Sequence, residues 1–156
     1  MRVITGDMLL RLSEEARSLP RRRRNLNLHD ADDAACHRLF NAVEPLSYIR
    51  PHRHIEAEKA ETFFLVSGVL GVVTFTDAGD IAEKAVLSQA SGRVAVDIPH
   101  GVYHTALSLE SGTVFFEAKA GPYRPMGEAE FAPWAPPEGS DVATSYLEEL
   151  KQQILS

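Results

Sequence analysis

The stretch RPHRHIEAEKAETFFLVSG, residues 50–68, carries the pattern that decides the fold and points to the chemistry. It places His52 and His54 two residues apart, continues through a carboxylate-rich turn, and closes an apolar run with Gly68. Side chains two apart on an extended strand share a face, with Cα atoms about 6.5–7 Å apart. The two imidazoles can therefore converge on one ion, and a strand that starts at Glu61 and pairs back would bring a carboxylate to them.

A third imidazole belongs to a second segment, GRVAVDIPHGVYHTALS, residues 92–108. His104 follows a Pro-x-Gly turn, where we expect a strand to re-enter the sheet. Three neutral imidazoles and a carboxylate make a mixed nitrogen and oxygen site that suits divalent iron, manganese, cobalt, nickel, copper or zinc. Open positions on such an ion can bind water, substrate or dioxygen. The expected metal ligands are His52, His54, Glu61 and His104.

The composition is that of one globular domain. The chain has 156 residues, of which 44% are hydrophobic and 24% charged, which is ordinary for a packed core. The single cysteine, Cys36, excludes an internal disulfide and a zinc site of several thiolates. The net charge of −6 argues against nucleic acid as the main partner. The run of arginines at 21–24 is interpreted as solvated or salt-bridged, with a role in anion binding as the alternative.

The beginning of the chain, MRVITGDMLLRL, has no long apolar stretch and carries an acidic residue early. We therefore expect neither a signal peptide nor a membrane anchor, and no window of the sequence approaches the apolar length of a bilayer span. The interpretation is a cytoplasmic protein without a membrane partner.

The pattern along the chain divides one structural domain into three parts. Residues 1–42 predict a helix over 5–18, a strand NLNLH over 25–29, and a short helix or turn over 32–42. Residues 43–120 predict the core, because short β-forming runs alternate with turn signals as in an antiparallel sandwich or barrel. Residues 121–156 predict a cover: 121–140 holds five of the nine prolines, which excludes a central strand, and a final helix follows.

Period-two spacing nominates residues that could line a pocket. Arg50 shares the expected face of His52 and His54, together with Tyr48, and could hold a carboxylate or phosphate or pair with an acid at the rim. A second group forms a polar strip whose amide and imidazole groups suit carbohydrate hydroxyls, although an exposed edge strand is the alternative. Its members are Asn25, Asn27 and His29.

Further candidates lie in the strands that follow. Glu117 and Lys119 share a face and could transfer protons or form a structural ion pair. Tyr103 is a candidate for acid–base chemistry or stacking, with packing as the alternative. Two other histidines are expected not to be ligands, because His37 falls on the predicted helical segment and His100 in the turn.

The two histidine segments resemble the paired motifs of the cupin superfamily. The first reads His-x-His, six residues, Glu61, six residues, Gly68, and the second reads Gly92, six residues, Pro-x-Gly-x-x-His104. The gap before Glu61 is longer than usual; Glu58 would fit the short gap but not the distance to Gly68. Ser108 stands where asparagine is common. The resemblance implies an all-β cupin jelly-roll (double-stranded β-helix) barrel with short N-terminal and C-terminal helices.

A wider stretch, from about residue 25 to 138, is similar to the WbuC-type cupin metalloproteins. The similarity rests on NLNLH, RLFNAVEPLSYIRPHRH, ETFFLVSG, VDIPHGVYHT and the ending FFEAKAGPYRP with EFAPWAPPE. It implies a His/Glu metal site and an association with bacterial surface-polysaccharide (O-antigen) gene clusters. It brings no settled reaction.

Three functions follow as hypotheses. The first is an enzyme with one divalent transition metal (Fe, Zn, Ni or Mn) that isomerises or epimerises a small sugar-like or anionic metabolite, or a dioxygenase if the metal is iron. The second is a non-catalytic, metal-dependent sensor of such a ligand. The third is a barrel in which the histidines serve only the fold. A homodimer is expected, because jelly-roll sheets leave edges and faces that can pair.

Overall fold

Two antiparallel sheets packed face to face form the body of the molecule, and each end of the chain adds one helix. The computed structural model describes residues 1–156. The five-stranded sheet has the order β1-β2-β8-β3-β6 and the three-stranded sheet the order β5-β4-β7. The elements are α1 (Gly6–Ser18), β1 (Arg23–Asn27), β2 (Cys36–Val43), β3 (Glu61–Ser67), β4 (Val69–Phe75), β5 (Ile81–Ser88), β6 (Ala95–Ile98), β7 (Tyr103–Ser108), β8 (Thr113–Ala120) and α2 (Ala143–Leu155). The prediction of an all-β jelly roll with two short helices is confirmed.

Strand alternation separates an inner face from an outer face. In β3 the buried side chains of Glu61, Phe63 and Leu65 alternate with exposed Thr62 and Phe64. The inner face packs apolar side chains of both sheets into one cluster, which is why the sheets close on each other. Its members are Val43, Phe63, Leu65, Leu70, Val72, Leu87, Ile98, Ala106 and Phe115.

Helix α1 covers part of the outer face of the five-stranded sheet. The hydroxyl of its cap, Thr5, accepts a bond from the Met8 amide, which satisfies one of the free amides at the start of a helix. Leu12 and Ala16 bury their side chains against Ala42 and Val114. The helix predicted over 5–18 is confirmed.

Helix α2 packs on the outer face of the three-stranded sheet. It buries Leu147, Leu150 and Ile154 in a cluster that also contains Val73 and Leu107. The helix predicted to begin at Asp141 begins two residues later. Neither helix is long and apolar enough to cross a membrane.

The proline-rich segment 121–140 contains no strand, only an isolated bridge between Phe131 and His52. Ala132 is fully buried, and the ring of Trp134 lies 4.9 Å from that of Phe75. The part of the segment around Ala132 and Trp134 therefore packs against the barrel, whereas residues 122–129 are exposed.

Three local predictions are wrong. Residues 36–43 form a strand, β2, which pairs along its length with β8; the expected helix or turn is overridden by this pairing. The segment around His52 is not a regular strand, because only isolated bridges form there and Pro51 lacks a backbone donor. Tyr48 does not share the face of the histidines, since its ring is buried in the α2 cluster and its hydroxyl donates to the Pro136 carbonyl at 2.8 Å.

Candidate metal centre and its cavity

Four side chains meet at one end of the barrel interior. One ligand atom from each of His52, His54, Glu61 and His104 lies within 4.8 Å of all the others. Glu61 stands between two rings: its Oε1 is 2.9 Å from His54 Nε2, and its Oε2 is 3.0 Å from His104 Nε2. The structure thus brings together the four residues that the spacing nominated as ligands.

Backbone bonds hold these four residues in place. The amide of His52 donates to the His104 carbonyl at 3.0 Å, and the amide of His104 donates back to the His52 carbonyl at 2.8 Å. The amide of Gly101 donates to the His54 carbonyl at 2.7 Å. Glu61 begins β3 and pairs with Lys119 of β8 on one side. The ligand geometry therefore depends on main-chain pairing between segments far apart in sequence.

The imidazoles are oriented as metal-binding histidines are. Nδ1 of His52 donates to the Arg50 carbonyl at 2.9 Å, and Nδ1 of His104 donates to the Val102 carbonyl at 2.9 Å. Nδ1 of His54 lies 3.6 Å from Oε1 of Glu130. With an ion bound, a hydrogen kept on Nδ1 would leave the lone pair of Nε2 free for that ion, and partners of this kind usually fix the tautomer of a ligating histidine. The residues present therefore fit a divalent ion.

The electrostatic setting favours the forms that bind metal. Burial alone would raise the pKa of Glu61, but bonds from His104 and His54 and the charge of Lys119 hold it well below its usual value. Burial lowers the pKa of His52 to about 3, and the neighbouring His104 ring acts in the same direction. A carboxylate anion and a neutral imidazole are the states that a metal ion requires.

A cavity of about 120 Å³ opens beside the cluster. Glu61, His52 and His104 form one wall. The rest of the lining carries both apolar and polar side chains, so that a small ligand could present a polar end to the metal site. These other lining residues are Arg23, Asn41, Val43, Ile49, Phe63, Ala106, Phe115 and Glu117.

Lys119 links the cluster to a second carboxylate. Its Nζ lies 2.7 Å from Oε1 of Glu61 and 2.7 Å from Oε1 of Glu117, whose Oε2 accepts from Asn41 Nδ2 at 2.8 Å. Burial raises the pKa of Glu117, and the charge of Lys119 opposes this. Burial would lower the pKa of Lys119, but the two carboxylates raise it above its usual value. The predicted Glu117 and Lys119 pair therefore exists and touches the candidate ligand Glu61.

A second cavity, of about 360 Å³, adjoins this group and is lined by the predicted polar strip. Asn25 of β1 lies opposite Asn41 of β2 in the sheet, so the strip continues the inner face outward. Asn41 lines both cavities, and Lys119 lines the larger one. The strip consists of Asn25, Asn27 and His29, whose ring stacks on His37 at 4.0 Å.

Two residues nominated from the sequence lie elsewhere. Arg50 donates to the Ala132 carbonyl at 3.0 Å and its guanidinium lies 4.9 Å from the centre of the Phe131 ring; the expectation that it faces the cavity fails because its segment is not a regular strand. Tyr103 precedes His104 in β7 and so points to the opposite face, where it packs near Trp134. It cannot act at the cluster.

The remaining glutamate and histidine candidates are separated by their positions. Glu58 is exposed, whereas Glu61 is 2% exposed and lies in the cluster. His100 is exposed in its turn. His37 is outside the cluster as expected, but it lies on β2 rather than on a helix, and its Nε2 is bonded to the Asp32 carbonyl at 3.0 Å.

Sequence reasoning missed Arg23 and Asn41. The signal for Asn41 was its two-residue spacing from Leu39 and His37, which the expectation of a helix concealed. Arg23 belongs to the arginine run and is held by the Tyr48 carbonyl at 3.0 Å and by Glu138 at 2.9 Å. Part of that run is therefore salt-bridged, as interpreted, while one member also lines the cavity.

The jelly-roll barrel, with three imidazoles and a carboxylate converging at one end of its interior, has the fold of cupin proteins. The chain belongs to the DUF6016 family, a domain of unknown function, whose model matches residues 4–87. No curated protein matches the sequence.

Solved structures share the fold at low sequence identity. KdgF from Halomonas sp. is 20% identical with a TM-score of 0.51, over 69% of this chain and 85% of that one. A conserved protein of unknown function from Streptococcus pyogenes is 10% identical with a TM-score of 0.51, over 68% and 80%. A variant of the oxalate decarboxylase of Bacillus subtilis is 16% identical with a TM-score of 0.51, over 71% of this chain and 28% of that one; Mn(II) centres are described in the decarboxylase of that organism. These similarities concern the fold.

Proposed function

We propose that this chain is a metal-dependent cupin that acts on a small sugar-like or anionic metabolite. The observation that carries the proposal is the convergence of three imidazoles and one carboxylate within 4.8 Å beside a cavity. His52, His54, Glu61 and His104 would hold one divalent ion, with Fe, Zn, Ni and Mn as the candidates. Such an ion supplies Lewis acidity or, if it is iron, a site for dioxygen.

Proton transfer is assigned to Glu117. Its carboxylate lines the cavity beside the cluster, and burial raises its pKa, which brings a carboxyl group closer to the range useful for a general base near neutral pH. Lys119 and Asn41 hold its two oxygens. Isomerisation or epimerisation needs a group that removes a proton from carbon beside a carbonyl and returns it, and the proposal gives this role to Glu117.

Substrate recognition is assigned to the polar strip. Amide and imidazole groups of Asn25, Asn27 and His29 offer donors and acceptors to hydroxyls, and Lys119 adds a positive charge between the two cavities. The similarity to WbuC-type cupins favours a sugar or sugar nucleotide of bacterial surface-polysaccharide (O-antigen) biosynthesis, with the protein acting in the cytoplasm.

A second function, a non-catalytic metal-dependent sensor, is favoured by one observation. Lys119 is already bonded to two carboxylates, as in a structural ion pair that only shapes the site. In a sensor, ligand binding in the cavities would be read by a partner without turnover.

The test is exchange of carbon-bound hydrogen for deuterium, followed by NMR in heavy water with a panel of reducing sugars, sugar acids and nucleoside-diphosphate sugars. The enzyme proposal predicts exchange by metal-loaded protein, loss after chelation, and a decrease of at least about 100-fold in Glu117→Gln. Glu83→Gln, at an exposed position of β5, is the matched control and should keep full activity. Binding without exchange would support the sensor, and neither binding nor exchange would contradict both functions.

A further inference from the structure

One arginine of the run at 21–24 reaches the cavity beside the candidate metal centre. Arg23 begins β1 and pairs with Val43 of β2, and both residues line the cavity of about 120 Å³. Arg23 is the only lysine or arginine among the lining residues. Its side chain is 18% exposed, whereas that of Arg24, the next residue of the run, is 54% exposed. Neither the metal ligands nor the proposed proton transfer gives Arg23 a role.

Neighbouring groups hold the guanidinium of Arg23 in one orientation. Its Nη1 donates to the Tyr48 carbonyl at 3.0 Å and to Ser47 Oγ at 3.3 Å, and its Nη2 donates to Oε2 of Glu138 at 2.9 Å. A guanidinium carries five N–H hydrogens. These bonds therefore fix the group and still leave the hydrogen on Nε and one on Nη2 without a partner in the chain. A group fixed in this way loses little freedom when it binds a ligand.

Glu138 does not cancel the charge of Arg23, because it is shared with a second arginine. Its two carboxylate oxygens also accept from Nε and Nη2 of Arg21, both at 2.8 Å. One carboxylate thus faces two guanidinium groups. One positive charge remains at this side of the cavity.

The candidate metal centre would add positive charge at the same cavity. Glu61 offers one negative charge to a divalent ion, and Lys119 lies 2.7 Å from both Glu61 and Glu117. The charges of Lys119 and Glu117 offset each other. Counted over the cluster and this pair, a loaded centre therefore keeps a positive charge. Because unbalanced charge in a protein interior is unfavourable, an anion in the cavity would be attracted by both the ion and Arg23.

The size and the other walls of the cavity limit the kind of anion. Its volume of about 120 Å³ is below the roughly 300–1,000 Å³ of sites for drug-sized ligands, so it suits a small molecule or a small part of a larger one. Apolar walls suit a short carbon skeleton rather than an inorganic ion, which has no apolar surface to bury. These walls are formed by Val43, Ile49, Phe63, Ala106 and Phe115.

We propose that Arg23 is a substrate-binding residue for a carboxylate on a short carbon skeleton, which occupies the cavity between the guanidinium and the candidate metal centre. The planar fork of a guanidinium matches the two oxygens of a carboxylate. This inference rests on the proposed function and deepens it, because it selects anionic metabolites, sugar acids among them, over uncharged sugars. It also gives one member of the arginine run a role in anion binding.

Isothermal titration calorimetry on the metal-loaded protein tests the inference with matched ligands. Glycolate is the probe, and glycolamide, in which an amide replaces the carboxylate, is its uncharged counterpart. We expect glycolate to bind at least about tenfold more tightly, because hydrogen bonds between arginine and a carboxylate are roughly twice as strong as neutral ones. Inorganic phosphate, titrated in the same way, should bind more weakly than glycolate.

Three variants test whether the guanidinium carries this preference. Arg23→Gln should lower the affinity for glycolate at least about tenfold and leave that for glycolamide near the wild-type value, and Arg23→Lys should recover only part of the loss, because an ammonium group lacks the planar fork. Arg24→Gln, which removes an exposed side chain paired with Glu15 at 3.3 Å, is the control and should keep the wild-type affinity. Circular dichroism and elemental analysis verify that each variant is folded and loaded. Should Arg23→Gln not fold, the ligand comparison in the wild type and Arg23→Lys carry the test.

The inference and the proposed function can fail separately. Equal binding of glycolate and glycolamide, tighter binding of phosphate than of glycolate, or an unchanged affinity for glycolate in folded Arg23→Gln would each overturn the inference. Binding of carboxylates as expected, but without hydrogen exchange in any of them, would support the inference and favour the sensor. Exchange in uncharged sugars alone would support the enzyme and overturn the inference. A protein that takes up no metal would contradict both.

Discussion

The two halves of the barrel interior are built from the same strands by the same alternation, yet they differ in chemistry. Toward one end the inner side chains are apolar, with Leu65 fully buried beside Leu70 and Leu87. Toward the other end the same strands place Glu61 and Glu117 inside. The change occurs within a single strand, since β3 begins at Glu61 and carries Leu65 four positions later.

The apolar half of the interior mainly stabilises the fold, whereas the polar half holds the groups of the candidate site. Burying apolar surface stabilises the fold by roughly 25 cal/mol per Å², and it requires only the right shape and volume. Burying ionisable groups is unfavourable unless each one is paired. The polar half meets that condition through Lys119 and the histidines that contact Glu61, and such groups gathered at one cavity are typical of functional sites.

The largest expected effect on stability lies in the apolar half. Leu65→Ala should lower the free energy of unfolding by about 2–5 kcal/mol, because it leaves a cavity among well-packed neighbours. Metal content per folded molecule should stay at the wild-type level. Urea denaturation and elemental analysis measure the two quantities. Ile55→Ala, at an exposed position, should change stability by at most about 0.5 kcal/mol. Loss of metal from folded Leu65→Ala would mean that the two halves are not separable.

A smaller effect is expected from the ion pair in the polar half. Lys119→Met leaves two carboxylates facing each other without their shared cation, whereas Glu117→Gln in the same molecule removes one of those charges. The double variant should therefore be more stable than the sum of the single changes predicts, by about 0.5–3 kcal/mol. Urea denaturation of metal-free protein completes the cycle. Additive changes would show that the contacts of Lys119 contribute no coupling energy.

The smallest effect for each step of the measurement is a dependence on pH, which changes stability by at most about 1.4 kcal/mol per pH unit for one proton. The unfolded His52 ring takes up a proton as pH falls below its usual pKa of 6.5, whereas the folded ring does so only near pH 3. The unfolded state therefore binds more protons in this window, and metal-free protein should lose stability as pH falls from 6.5 toward 3. His52→Gln should reduce the slope of the free energy of unfolding against pH by an amount that corresponds to at most about one bound proton. The exposed control His100→Gln should keep the wild-type slope; a matching decrease there would show that the effect does not come from the cluster.

Much of the architecture could be predicted because the alternation of apolar and polar residues along each segment indicates its secondary structure. The alternation in ETFFLVSG predicts a strand with Glu61, Phe63 and Leu65 on one face, and pairing in the sheet preserves that face. The prediction for residues 32–42 failed because CHRLFNAV alternates imperfectly and gains its regularity from pairing with β8. That failure concealed Asn41, whose side chain reaches the cavity only because β2 is a strand.

The candidate site was predictable only in part for a similar reason. His52, His54, Glu61 and His104 stand at motif spacing, so their convergence could be expected from the sequence. The contact of Lys119 with Glu61 depends on the register between β3 and β8, which no local pattern specifies. Arg50 shows the opposite case, since a period-two argument fails where the chain is extended but not part of a sheet.

The most direct test of the metal centre is elemental analysis of purified protein without a tag, together with His52→Ala and His104→Ala. His100→Ala, in an exposed turn, is the control. We expect about one equivalent of a divalent transition metal in the wild type and in the control, and its loss in both ligand variants. A wild type that holds no such metal and takes up none on titration with Fe, Zn, Ni or Mn would contradict the proposal. The four side chains would then have to be interpreted as a polar ligand cradle or a structural cluster.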